Sequence, residues 1–89
     1  MKGIITVVGK DKVGIIAKVC TFLSEENINI LDISQTIVQG YFNMMMIVDL
    51  ASAQNEFVEI VDRLSKLGKE IGVDIRLQHQ DIFDSMHRI

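Results

Sequence analysis

The sequence predicts an α+β fold of the ferredoxin-like βαββαβ type, a four-stranded antiparallel sheet with two helices on one face. Four apolar stretches with strand periodicity alternate in that order with two longer stretches whose apolar residues recur at helical spacing. The length of 89 residues agrees, since it suits one domain, 1–89. In this plan the first and third strands are central.

The first strand is predicted for Lys2 to Val8. Its apolar residues leave little room for a polar face, as expected of a central strand that is buried on both sides; they are Ile4, Ile5, Val7 and Val8.

The first helix is predicted from Val13 to about Glu26. Four residues at i, i+3, i+4 and i+7 form an apolar stripe: Ile16, Val19, Cys20 and Leu23. Glu26 is expected to stay outside it. Asn27 can end the helix in the left-handed conformation. We interpret Cys20, inside the stripe, as a small core residue and not as a nucleophile.

Two strands should then form a hairpin. The first, Ile28 to Val38, changes the parity of its apolar residues, which indicates a bulge near Asn29. Gln39-Gly40 reads as a two-residue turn. The second strand, Tyr41 to Leu50, has apolar residues on both faces. It is therefore the second central strand.

The remaining chain supplies a helix within 52–71, an edge strand over Val73 to Gln80 and a short apolar tail, about 81–89. The edge strand alternates apolar with polar residues, which is typical of a strand with one wet face. In the tail, Ile82, Met86 and Ile89 have helical spacing. A terminal turn this apolar should pack on its own domain or on a partner.

Composition narrows the function. The net charge is −3 without a basic run, so we expect no nucleic-acid partner, and no apolar stretch approaches the roughly 20 residues that span a membrane. One cysteine and no signal peptide indicate a cytoplasmic protein. A hydrophobic content of 48% is high for so small a body and favours a homodimer or higher oligomer.

The turn between the first strand and the first helix is the main candidate site. Asp11 is predicted to cap the helix, and Gly14 lets a ligand approach its free amides closely. Lys10 and Lys12 add positive charge, so a small carboxylate fits the turn. Gly9 and Gly14 have the spacing of a Walker A loop, but the residue at its lysine position is isoleucine, which excludes nucleotide hydrolysis. Alternatively, the glycines only allow tight packing.

Other residues are weaker candidates. Asn29, between two isoleucines, is either a turn residue or an amide that serves the carboxylate and ammonium of a bound amino acid. His79 and His87 lack partners at metal-ligand spacing, so we expect no metal and no cofactor. No catalytic set is evident, and an acylphosphatase-like enzyme would need an arginine where this turn has lysines.

The element order and the turn Gly-Lys-Asp-Lys-Val-Gly-Ile resemble the ACT domain, a small-molecule-binding regulatory module. The start Ile4–Asp11, the segment Asp32–Thr36 and the tail with Ile82-Phe83 and Met86 resemble the small stand-alone UPF0237 proteins. The resemblance implies that two copies bind an amino acid through the first turn and the asparagine that opens the second strand. By position these residues are Gly9, Lys10, Asp11, Lys12, Val13, Gly14, Ile15, Asn29 and Ile30.

Two functions remain open, besides the less favoured enzyme. The first is a stand-alone regulatory domain that dimerises, binds an amino acid at the interface and acts on a partner enzyme or regulator. The second is a protein–protein interaction module that has the fold without the ligand. Asp11 and Val13 favour the second, because they depart from the family that this turn resembles. Many ACT domains that bind amino acids have histidine or asparagine at the positions of Gly9 and Asp11, and proline at the position of Val13.

Overall fold

The computed structural model describes residues 1–10 and 13–81, and the predicted element order is confirmed there. Its elements are β1 (Lys2–Lys10), α1 (Ile15–Glu25), β2 (Asn29–Val38), β3 (Tyr41–Asp49), α2 (Phe57–Ile71) and β4 (Val73–His79). Apart from Asp81, the predicted tail lies outside these residues.

The strands form one antiparallel sheet in the order β2-β3-β1-β4, so β1 and β3 are central, as predicted. The β2–β3 register shifts between Ile30 and Asp32, which confirms a bulge near the start of β2. Gln39 and Gly40 join these strands with φ of 52° and 81°, values that suit a tight hairpin turn.

The core lies between the two helices and one face of the sheet. It takes alternate residues from β1, β3 and β4 and the inner stripes of both helices; among them are Ile5, Val7, Val19, Leu23, Met44, Met46, Ile60, Leu64 and Ile75. We call the other side of the sheet, away from the helices, the open face. There Val8 is 46% exposed, so the prediction that β1 is buried along both faces is wrong at that residue.

Helix α1 corrects three predictions. It begins at Ile15, with Gly14 at the N-cap position, and not at Val13 as predicted, whereas Asp11, which was predicted to cap it, lies outside the described residues. The buried stripe is Ile15, Val19 and Leu23, whereas Ile16 is exposed. Cys20 is half-buried beside the core. The reason is a small rotation, since Ile16 and Cys20 share the adjacent side of the helix, one position further along the chain.

Glu26 was expected on the outside but is buried at the end of α1. Its carboxylate accepts hydrogen bonds from Asn55 Nδ2 at 2.8 and 2.9 Å, and from Arg63 Nη1 at 3.1 Å. A carboxylate can be buried there because α2 and the loop before it supply its donors. Asn27 follows with φ of 60°, the left-handed conformation predicted for it.

Candidate functional site

The turn that leads into α1 is built around Gly14. Its φ of 93° is in the left-handed region, which glycine adopts without strain, and its carbonyl accepts the Lys18 amide at 3.0 Å. No side-chain hydrogen bond caps the helix within the described chain, and its first turn holds no acidic residue. The first amides of α1 and the positive end of its dipole therefore form an environment that favours an anion.

The turn residues line a small cavity of about 250 Å³. Val13 is fully exposed, Gly14 is half-buried and Ile15 is buried at the bottom of the turn. Other described residues, which the sequence did not indicate, also line it: Lys18, Glu70 and Ile71. Lys10 is exposed at the end of β1, whereas Asp11 and Lys12 lie outside the described residues.

Gly9 is explained by packing. A Cβ atom at this position would lie 2.7 Å from Cγ1 of Val73, which is its partner in the β1–β4 ladder. The two glycines of the turn therefore have different physical reasons. Gly9 permits the close approach of two strands, and Gly14 permits the backbone conformation at the start of α1.

A second and larger cavity, of about 450 Å³, lies where β2 begins. Asn29 is exposed there, and Ile30 is half-buried against the core. Among the residues that the structure describes, those that line it carry no charge: Cys20, Leu23, Ser24, Asn27, Ile28, Asn29, Ile30 and Ser52. Asn27 Nδ2 donates a hydrogen bond to the Ser52 carbonyl at 3.1 Å, which links two residues on one side of the cavity. For the wall of the cavity that α1 forms, the sequence offers one indication: Cys20 and Ser24 are spaced i, i+4 and therefore lie on the same side of the helix.

The structure keeps the two halves of the predicted site apart. Lys10 pairs with Tyr41 at one end of the sheet, whereas Lys2 pairs with Asp49, and Asp49 with Asn29, at the other. The nine residues from Lys2 to Lys10 correspond to roughly 27 Å of strand. Residues 13–15 and Asn29 therefore cannot contact one small ligand within a single chain.

Strand β2 runs between these two ends and exposes apolar side chains. Leu31, Ile33 and Ile37 are 45%, 46% and 57% exposed. The strand is at the edge of the sheet, so one row of its backbone groups has no neighbour in the chain's own sheet. Ile16 and Cys20 extend the apolar surface onto the side of α1 that borders the second cavity. We call these five residues the β2 edge surface.

Residues relevant to enzyme or metal chemistry are engaged elsewhere. Arg63 pairs with Glu26 and Glu59, and Arg76 with Asp74, so neither arginine lies in the turn. The His79 ring stacks on Phe57 with centroids 4.0 Å apart. In 1–10 and 13–81 no three His, Cys, Asp or Glu residues are grouped as metal ligands. No helix in this part of the chain is long and apolar enough to cross a membrane.

The comparisons with known proteins agree with this architecture. Residues 3–78 match the family model of the ACT domain. A UPF0237 protein of Bifidobacterium longum is 64% identical over 99% of this chain and 98% of its own length. Two solved structures are also similar. An ACT domain protein from Streptococcus pneumoniae superimposes with a TM-score of 0.83 at 42% identity, covering 93% of each chain. The regulatory subunit of aspartate kinase from Thermus thermophilus gives a TM-score of 0.66 at 27% identity, over 86% of this chain and 50% of that one.

Proposed function

This chain belongs to the ACT domain family and to its UPF0237 proteins, and from this premise we propose that it is a stand-alone regulatory domain. It forms a homodimer through the β2 edge surface and binds an amino acid or a similar small carboxylate at the interface. It acts by binding, not by catalysis, and the ligand changes its association with a partner enzyme or regulator.

One observation carries the proposal: the two halves of the site lie at opposite ends of the sheet, and the exposed edge strand β2 runs from one end to the other. If two copies join their β2 strands antiparallel about a two-fold axis, the Asn29 end of one strand lies beside the Val38 end of the other. The Val38 end is level with Lys10 and the turn. Such pairing brings the turn of each copy toward Asn29 of its partner and produces two equivalent sites.

The exposed apolar side chains give a reason for this pairing. Eight consecutive residues of β2, from Leu31 to Val38, are exposed, and none of them is lysine or proline, which protect many edge strands. Pairing with a second copy would satisfy the open backbone groups and would bury Leu31, Ile33 and Ile37, together with Ile16 on α1.

The chemistry of the two halves fits an amino acid. The first amides of α1, with Lys10 nearby, favour a carboxylate. The Asn29 amide offers both a donor and an acceptor, so it can bind an ammonium group or a carboxylate. The uncharged lining of the second cavity favours a ligand with a neutral side chain. The similarity to a regulatory subunit of aspartate kinase supports a regulatory role.

The test is a thermal-shift screen against the twenty amino acids, with the mass in solution determined by light scattering. A ligand at 100 times its Kd adds about 2.7 kcal/mol, which raises the Tm of a domain this size by several degrees. We expect a dimer and at least one amino acid that raises the Tm.

Asn29→Ala is the informative variant, because Asn29 is exposed and the substitution should leave the fold and the dimer intact. It should abolish the ligand-dependent shift. The matched control is Asn43→Ala, an exposed asparagine on β3, which should retain the full shift. A well-folded dimer that responds to no amino acid would contradict ligand binding and would favour the interaction module of the same fold.

A further inference from the structure

Ile4 is buried in an unexpected place. Only 4% of it is exposed, yet it is absent from the core cluster that contains its neighbour Ile5. Side chains alternate along a strand, so Ile4 lies on the open face, away from both described helices. Val8, on the same face of β1, is 46% exposed. The open face is therefore covered at one end and exposed at the other.

The covered end is where the chain leaves the sheet. Ile4 pairs with Ile47 on β3 and with Gln78 on β4, and His79 pairs with Gly3. Ile47 and Gln78 are half-buried as well. The chain continues from Gln80 and Asp81 into the eight residues 82–89, so this segment begins beside the covered end of the open face.

The composition of the segment suits this face. Its apolar residues, Ile82, Phe83, Met86 and Ile89, fall on one side at helical spacing. A helix of eight residues is about 12 Å long, enough to cross β1 and β3, whose axes lie about 4.8 Å apart.

The comparisons with known proteins show that segment 82–89 is not part of the ACT domain match. The ACT domain model ends at residue 78, whereas the UPF0237 relative from Clostridium acetobutylicum aligns with all 89 residues of this chain. The segment is therefore shared with the UPF0237 relatives and lies beyond the part of the chain that the ACT model covers.

We propose that segment 82–89 packs over Ile4 and Ile47 on the open face of its own chain and closes that end of the face to a second copy. With that end of the face occupied, two copies could not pair along the whole open face, and this favours self-association through the β2 edge surface. The inference concerns a surface outside the proposed ligand site, so the two can fail independently.

The experiment measures the solvent exposure of methyl groups by NMR with a soluble, uncharged paramagnetic agent, in the full chain and in a chain that ends at Asp81. Two residues of α2 are internal references: Ile60, which is buried, and Val58, which is 77% exposed. We expect the Ile4 δ1-methyl to relax like Ile60 in the full chain and to approach Val58 after truncation. Ile60 should stay protected in both proteins.

If the chain that ends at Asp81 does not fold, a point variant of the full chain tests whether segment 82–89 covers Ile4. Phe83→Ser should expose Ile4 and lower the Tm by roughly 4–10 °C, because an apolar contact is lost. The control Val58→Ser removes apolar atoms from an exposed position and should leave the Tm and Ile4 unchanged. If Ile4 remains as protected as Ile60 in the folded variants, the proposal is wrong.

The segment must also be shown to belong to the same chain. In a mixture of labelled and unlabelled protein, isotope-filtered NOEs between the Phe83 ring and the Ile4 or Ile47 methyl groups should be absent between chains and present within one. NOEs that occur only between chains would assign the cover to the partner's segment and overturn the proposal.

Discussion

The two edge strands of the sheet, β2 and β4, differ in how far the rest of the molecule buries their side chains. β4 alternates from Val73 to Leu77, with Val73, Ile75 and Leu77 buried and the polar residues Asp74 and Arg76 exposed. β2 is longer, and all of its residues except Ile30 are exposed, including four large apolar ones.

The difference shows that the apolar side chains of β4 are covered within one chain, whereas those of β2 are not. Helix α2 ends directly before β4 and packs on it: Gly68 approaches so closely that a Cβ there would lie 2.6 Å from the Val73 carbonyl. No helix of the described chain covers β2 in the same way, although its sequence is as apolar. We therefore expect substitutions in β4 to change the stability of one chain and substitutions in β2 to change the association of two.

The largest effect is expected on β4. Ile75→Ala removes a side chain that is only 5% exposed and should lower the free energy of unfolding by about 2–5 kcal/mol, since a cavity is left in the core. Urea unfolding, at concentrations where the monomer predominates, measures the loss. The control is Ile37→Ala on β2, where 57% exposure predicts less than about 1 kcal/mol. Equal losses would contradict the comparison.

The next effect is on association. Ile33→Lys places a charge in the middle of the β2 edge surface and should raise the Kd of the dimer by at least about 30-fold, as expected when a central apolar contact becomes a buried charge. Sedimentation over a range of concentrations measures this. Val58→Lys is the control, an equal substitution on the outside of α2 that should leave the Kd unchanged. A dimer unaffected by Ile33→Lys would show that copies join elsewhere.

The smallest effect is on the outside of β4. Arg76→Gln breaks the exposed ion pair with Asp74, whose atoms are 3.0 Å apart, and should change the free energy of unfolding by less than about 0.5 kcal/mol. The mass in solution should not change. A shift of the Arg76→Gln protein toward larger assemblies would show that its charge also keeps this edge from pairing, as edge charges often do.

The sequence predicts the fold well because its periodicities are strong. The alternation in β4, the run of Phe42 to Val48 on one face of β3 and the left-handed positions Asn27 and Gly40 follow from local chemistry. The bulge was visible as a change of parity. These are properties of neighbours in the chain, which explains why reading the sequence recovers them.

The errors share another cause, which is that burial depends on distant residues. Glu26 is expected at the surface because it is charged, and its burial is possible only because Asn55 and Arg63, which are distant in the sequence, donate hydrogen bonds to its carboxylate. In α1, a stripe through Ile16 is as regular as one through Ile15, and only the position of the sheet decides between them. The separation of the turn from Asn29 depends on how the strands are arranged in the sheet: β1 and β2 run parallel on either side of β3, so the end of β1 and the start of β2 lie at opposite ends.

The central claim is that the turn of one copy and Asn29 of the other form one site. The most direct test mixes two variants that are each inactive: Asn29→Ala, and Lys18→Glu, which places a negative charge in the cavity at the start of α1 and repels the carboxylate of the ligand. Calorimetry then measures binding of the amino acid identified in the screen. Random re-pairing gives heterodimers with one intact site, so binding should return at about a quarter of the wild-type capacity with the wild-type Kd. If the mixture of folded dimers binds nothing, the two halves do not meet across the interface and the account is wrong.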